Sequence, residues 1–288
     1  MSSILKTLFI IVQYITPQHL LSHAAGSLAT VKLAWIKNPL IRAFIRQYKV
    51  DMSEAEYPDA EDYPHFNAFF TRSLKEGMRP IAEDPKALAC PADGAVSQLG
   101  NIDSGRIFQA KGQSFSCREL LGGRDADAAQ FENGQFATIY LSPKDYHRVH
   151  MPCDGKLLSM TYIPGDLFSV NQTTAENVDR LFSRNERVVC LFETEFGPMA
   201  MVLVGAMIVG SIDTVWAGQV APPAKAIQHI DYVSGPGDRI ELQKGEEMGR
   251  FKLGSTVVLL LPENVANWSE ELEAESPLRM GQTIAQLS

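Results

Sequence analysis

The sequence lacks any apolar run of the ~18 to 20 residues that a membrane-crossing helix requires, and Met199–Gly210 has only the length of a buried core segment. Helical integral insertion is therefore not expected. Cysteine is scarce. Cys90, Cys117, Cys153 and Cys190 are 27, 36 and 37 residues apart, which fits neither a paired zinc motif nor a small disulfide scaffold. They read as reduced packing residues. The first fifty residues contain no Asp or Glu, while Lys6, Lys32, Lys37, Arg42, Arg46 and Lys49 make them +6. The other 238 residues hold 20 basic and 34 acidic side chains, a net −14. So acidic a body excludes a nucleic-acid groove, whereas a basic, apolar leading segment suits an anionic membrane surface. With 45% hydrophobic and 21% charged residues in 288, the chain can bury a full core in one or two domains.

Lys6 followed by apolar residues could open a secretory signal, but Gln13, Tyr14, Pro17, Gln18 and His19 interrupt the run before a convincing cleavage site. A series of short helices is the better account. Asn38 is expected to cap one, with Pro39 in its first turn and Leu40, Ile41, Phe44, Ile45 and Tyr48 recurring at helical spacing. Arg42, Arg46 and Lys49 then share the opposite face. The expectation is that this helix lies in a bilayer interface, the alternative being a helix packed on its own domain.

Residues 51–87 hold acids and aromatics and are expected to form a helical connector. From Leu88 onward, β-branched or alternating runs (136–141, 156–163, 187–192, 199–212, 256–261) are separated by Gly, Pro, Asn and Asp. The expected class is α+β: amphipathic helices over 1–50, a connector over 51–87, and a many-stranded, mainly antiparallel β domain over 88–288. Pro91-Ala92-Asp93-Gly94 and Pro152-Cys153-Asp154-Gly155 echo each other, which is compatible with a duplicated sandwich or barrel-like unit and equally with two common turns.

Three polar positions stand out: Asp93, the pair His147 and His150, and Ser255 after Gly254. Each alone reads as structure, since Asp-Gly is a turn and a lone histidine is usually a hydrogen-bonded residue. In a regular strand the three-residue spacing sends the two imidazoles to opposite faces, so a shared site needs a bend near Pro143 or Pro152. No metal is expected, because H-E-x-x-H, paired cysteines and a spaced third ligand are all missing. Asp, His and Ser can make a nucleophilic triad, and the absence of G-x-S-x-G argues against an α/β-hydrolase.

Taken jointly, 91–94 (PADG), 146–152 (YHRVHMP), 164–171 (PGDLFSVN), 196–199 (FGPM) and 249–256 (GRFKLGST) resemble the bacterial-type phosphatidylserine decarboxylases over nearly the whole chain. The resemblance implies a proenzyme cleaved between Gly254 and Ser255 into chains 1–254 and 255–288, which stay together as a heterodimer. Ser255 would become a covalent pyruvoyl group, the only cofactor, that condenses with the substrate amine and accepts the electron pair left by carbon dioxide. Asp93 and His150 would activate the Ser255 hydroxyl, and His147 would protonate or orient the substrate. The product would be phosphatidylethanolamine. The implied location is peripheral on the cell membrane, at its cytoplasmic face, with a homo-oligomer also compatible. The alternatives are a membrane-associated serine hydrolase using Asp93, His150 and Ser255, and a non-enzymatic β scaffold.

Overall fold

The computed structural model describes residues 3–207, 211–221, 226–233, 239–252 and 255–288. Helices α1 (Ser3–Ile15), α2 (Gln18–Ala29), α3 (Ala34–Tyr48) and α4 (Phe66–Phe70) precede the strands. The strands that position the site are β1 (Gly94–Asn101), β2 (Gln135–Leu141), β3 (Arg148–His150), β4 (Gly155–Ile163), β5 (Arg187–Thr194), β6 (Gly197–Gly205), β7 (Ser211–Thr214), β8 (Glu247–Lys252) and β9 (Ser255–Leu261). The α+β expectation holds, and both P-x-D-G segments lead into a strand, β1 and β4. The expected run 199–212 divides between β6 and β7.

A nine-stranded antiparallel sheet runs in the order β4-β5-β6-β9-β2-β1, with the short segments Gln228–Asp231 and Glu241–Leu242 beyond β4 and Pro277–Leu278 beyond β1. β9 is one of its interior strands. It pairs with β2 from Ser255↔Leu141 to Leu261↔Gln135, and with β6 from Ser255↔Gly205 to Leu260↔Ala200. All seven of its residues are buried, so its unbroken Val-Val-Leu-Leu-Leu run is that of a strand covered on both faces. Alternation sends Val257, Leu259 and Leu261 into one apolar cluster with Val149, Met151, Ile212 and Phe251, and Val258 and Leu260 into a second. Ser255 has the parity of the first. A smaller sheet of Gly218–Ala221, β7, β8 and β3 contributes to that cluster. All four cysteines are buried thiols.

The helix expected from Asn38 starts earlier. Leu33 occupies the N-cap, its carbonyl accepting from Ile36 and Lys37, and Pro39 lies inside α3. Asn38 instead accepts from Lys37 Nζ at 2.6 Å. The apolar face of α3 also meets protein rather than solvent: Ile41 is fully buried, and Phe44 packs edge-on against Phe66, Phe69 and Phe70. Its assignment to the bilayer is thus corrected, because the aromatic connector supplies a partner that helical periodicity cannot reveal. Exposed apolar side chains lie on α1 (Leu5, Leu8, Ile11, Ile15), on α2 (Leu20, Leu21, Leu28), at Leu33, and at the two ends of α3 (Trp35, Tyr48).

Candidate active site

Backbone pairing brings the three motif segments together. The His150 amide donates to the Pro91 carbonyl at 2.8 Å, and the Phe251 amide donates to the His147 carbonyl at 3.0 Å. Asp93 therefore neighbours β3, and β3 neighbours the strand that leads to Ser255. Gly94 permits the close approach of β1 to β2, since a Cβ there would lie 2.2 Å from the Tyr140 carbonyl oxygen. Gly254 lies outside the described residues.

Asp93 is nearly buried, and its carboxylate is occupied. Arg79 Nε donates to Oδ1 at 2.8 Å and Nη2 to Oδ2 at 2.5 Å, while the Met280 amide donates to Oδ1 at 2.8 Å. Arg79 also binds Glu54 at 2.7 Å, and these two carboxylates raise its pKa. His150 is held by other groups: Nδ1 donates to the Gly245 carbonyl at 2.8 Å, leaving Nε2 to accept from the Tyr146 hydroxyl at 3.1 Å. Among the described residues no hydrogen bond joins Asp93, His150 and Ser255 to one another. The Gly245 carbonyl takes the tautomer-fixing place expected of Asp93, and Asp93 acts on His150 through its charge. Burial lowers the His150 pKa, against the raising effects of the Gly245 bond, Glu247 and Asp93.

The two imidazoles lie in different surroundings. His147 lies ahead of β3, where the turn closed by Asp145 Oδ2 on the Ser142 amide (2.7 Å) follows Pro143. It is fully buried, packed against Phe70 with ring centroids 4.0 Å apart and planes tilted by 43°, and Nδ1 donates to the Asp145 carbonyl at 2.8 Å. That leaves Nε2 a bare lone pair without a partner among the described residues. Burial pushes its pKa down to about 3. Ser255 is also fully buried, and its Oγ likewise has no partner among the described residues. The hydroxyls of Thr256 and Thr138, also buried, are likewise without a partner among the described residues.

A cleft of about 460 Å3 opens beside these groups, lined by Arg72, Arg79, Asp93, Tyr140, Asp145 and Tyr146 among others. Arg79, Tyr146, Phe70 and the Gly245 carbonyl are partners that sequence reasoning did not assign. Tyr146 stood within a recognised motif, but Arg79 reaches Asp93 only through the fold.

Residues 66–286 match the family described as phosphatidylserine decarboxylase, and residues 8–49 match one described as PSD. The chain belongs to the phosphatidylserine decarboxylase family. It is 61% identical over 279 residues to the phosphatidylserine decarboxylase proenzyme of Ectopseudomonas mendocina, covering 97% of this chain and 98% of that one. The corresponding proenzyme of Pseudomonas fluorescens strain Pf-5 is 61% identical over 279 residues, 97% of each chain. That of strain SBW25 is 59% identical over 280 residues, 97% of this chain and 98% of the relative. Membership in this decarboxylase family makes the chain a carboxy-lyase. No helix among the described residues is long and apolar enough to cross a membrane.

Proposed function

We propose that the chain is a membrane-surface proenzyme that decarboxylates phosphatidylserine to phosphatidylethanolamine after cutting itself between Gly254 and Ser255. The observation that carries this reading is the hydroxyl of Ser255 at the head of β9, fully buried and without a partner among the described residues. It fits a serine that is consumed in making a prosthetic group rather than one serving the fold. In the first step Ser255 Oγ bonds to the carbonyl carbon of residue 254, the amide C–N bond breaks, and the amide nitrogen takes the hydroxyl proton. The ester then leaves by β-elimination as the Ser255 Cα proton is removed, and water replaces the nitrogen as ammonia, which generates a pyruvoyl end.

His150 is the base for the hydroxyl proton, through an Nε2 freed from Tyr146, with the Asp93 charge favouring its protonated form. The pyruvoyl group supplies an electron sink for decarboxylation. His147 serves turnover. A pKa near 3 suits its bare Nε2 to accepting a hydrogen bond or a proton and so to orienting substrate, and makes it a poor general acid. The cut would leave β9 bonded to β2 and β6 along its length, so the 1–254 and 255–288 chains remain one body. The apolar faces of α1 and α2, on an acid-free segment, would hold the enzyme peripherally at an anionic membrane.

Denaturing electrophoresis with intact mass tests the reading. Two chains are expected, the smaller blocked to Edman degradation, and borohydride should abolish carbon dioxide release from phosphatidylserine. A whole chain that turns over lipid esters would establish the serine hydrolase instead. His150→Ala and Asp93→Asn should remain uncut, while His147→Ala should be cut and turn over slowly; the reverse pattern would exchange the histidine roles.

A further inference from the structure

Helix α2 leaves its leucines exposed and sets a polar stripe beside a cavity. Positions 19, 22, 23, 26, 27 and 30 form one stripe at helical spacing, and these residues (His19, Ser22, His23, Gly26, Ser27, Thr30) line a cavity of about 410 Å3 against the β body. Leu20, Leu21 and Leu28 lie on the opposite side, 69%, 41% and 47% exposed. A helix of a water-soluble protein buries its apolar stripe and turns its polar residues outward. In α2 the leucines are exposed instead, and of the polar stripe only Ser22 is buried, so that His19, His23, Ser27 and Thr30 stand accessible at the mouth of the cavity.

The far wall of the cavity comes from the site strands. Ser211 and Lys252 are cross-strand partners in β7 and β8, and Lys252 stands three residues before Ser255. Glu186 is buried and held by the Tyr162 hydroxyl at 2.9 Å, and its backbone carbonyl accepts from the Gly205 amide at 2.8 Å. Gly205 is the cross-strand partner of Ser255, so the cavity reaches to within one strand of the reacting residue.

We propose that this cavity is the phosphatidylserine headgroup site, with His19 and His23 as determinants of substrate binding, an inference that rests on the decarboxylase reading above. His19 and His23 are one helical turn apart, so their imidazole N–H groups can converge on a phosphodiester together with Lys252. Lys252 is paired with Asp213 at 2.8 Å, and its ammonium carries further donors. Glu186, at the inner end, attracts the serine ammonium and so sets which end of the headgroup leads toward Ser255. The cleft beside Asp93 does not meet the requirements of a two-chain lipid. Its rim carries charges of both signs, Lys49, Asp51, Glu54, Lys144 and Arg279, and none of the exposed apolar side chains of α1 to α3. A lipid that keeps its acyl chains in the bilayer needs a headgroup site bordering the apolar surface, and α2 provides both in one element.

The test uses the full-length mature enzyme on mixed vesicles of phosphatidylserine in phosphatidylcholine. His19→Ala/His23→Ala should still be cut at the parent rate, with KM for phosphatidylserine raised about tenfold and kcat within about twofold. His23→Arg in place of His23→Ala should restore most of the affinity. Soluble glycerophosphoserine should compete with substrate in the parent and lose that competition in the double variant, whereas inorganic phosphate competing equally well would make the site a general phosphate site and overturn the assignment. An unchanged KM, or a rise matched by equal loss of sedimentation with phosphatidylcholine vesicles, would also overturn it. A parent that neither cleaves nor releases carbon dioxide would instead defeat the decarboxylase reading.

Discussion

Helices α2 and α3 come from the same acid-free, basic and apolar segment, yet they use their two faces in opposite ways. The apolar stripe of α3 packs on α4 and the aromatics around it, with Arg42 and Arg46 outward and Lys37 turned in to the Ala60 and Glu61 carbonyls. In α2 the leucines are exposed, and the polar stripe borders a cavity with only Ser22 of it buried. The contrast teaches that amphipathicity specifies that a helix has two faces, and that the rest of the molecule decides which face is hidden. Here the hidden face of α3 stabilises the fold, and the outward face of α2 remains available to lipid.

The largest expected effect sharpens that contrast at the membrane. Each leucine withdrawn from lipid costs ~1.5–3 kcal/mol, so Leu20→Ser/Leu21→Ser/Leu28→Ser should weaken sedimentation with anionic vesicles by about a hundredfold or more. Thermal stability should barely change. Charge reversal of Arg42, Arg46 and Lys49 should act more mildly and only at low salt, because surface attraction is screened over ~10 Å at 0.1 M. Equal losses from the two variants would break the comparison.

Stability should show the converse. Ile41→Ala removes a fully buried side chain and should cost about 2–5 kcal/mol in urea unfolding, whereas Leu20→Ala should stay within about 0.5 kcal/mol. A Leu20→Ala loss as large as that of Ile41→Ala would mean that α2 too is anchored by its leucines.

A third, smaller effect lies where α4 meets the site. His147 packs against Phe70, and burial moves its pKa from 6.5 to about 3, so the unfolded chain takes up a proton that the folded one refuses. This group leaves stability unaffected above pH ~6.5 and costs about 1.4 kcal/mol per unit as the pH falls from there toward 3. His147→Gln should therefore show a shallower acid limb than the parent in unfolding measured from pH 7 to 5. Parallel limbs would show that the imidazole is readily protonated in place. Smallest of all, Arg42→Ala removes an exposed pair with Glu61 and should cost less than about 1 kcal/mol by the same unfolding measurement.

Much of this was legible in the sequence because local chemistry carried it. The acid-free leader, the Gly- and Pro-punctuated strands, the uninterrupted apolar run after Ser255, and the Asp93, His147, His150 and Ser255 set all follow from composition, period-two patterning and motif chemistry. In a regular strand the spacing of the two histidines would put them on opposite faces, but His147 lies ahead of β3, so strand alternation does not set its surroundings. Only the tertiary structure decided that β9 is an interior strand, that Arg79 rather than His150 occupies the Asp93 carboxylate, that Gly245 fixes the His150 tautomer, and that α3 packs its apolar face on α4 while α2 leaves its leucines exposed. Each of these depends on contacts between segments far apart in the chain. Periodicity records that a side chain has a preferred face, and the partner that face meets is set by the free energy of the whole packed molecule.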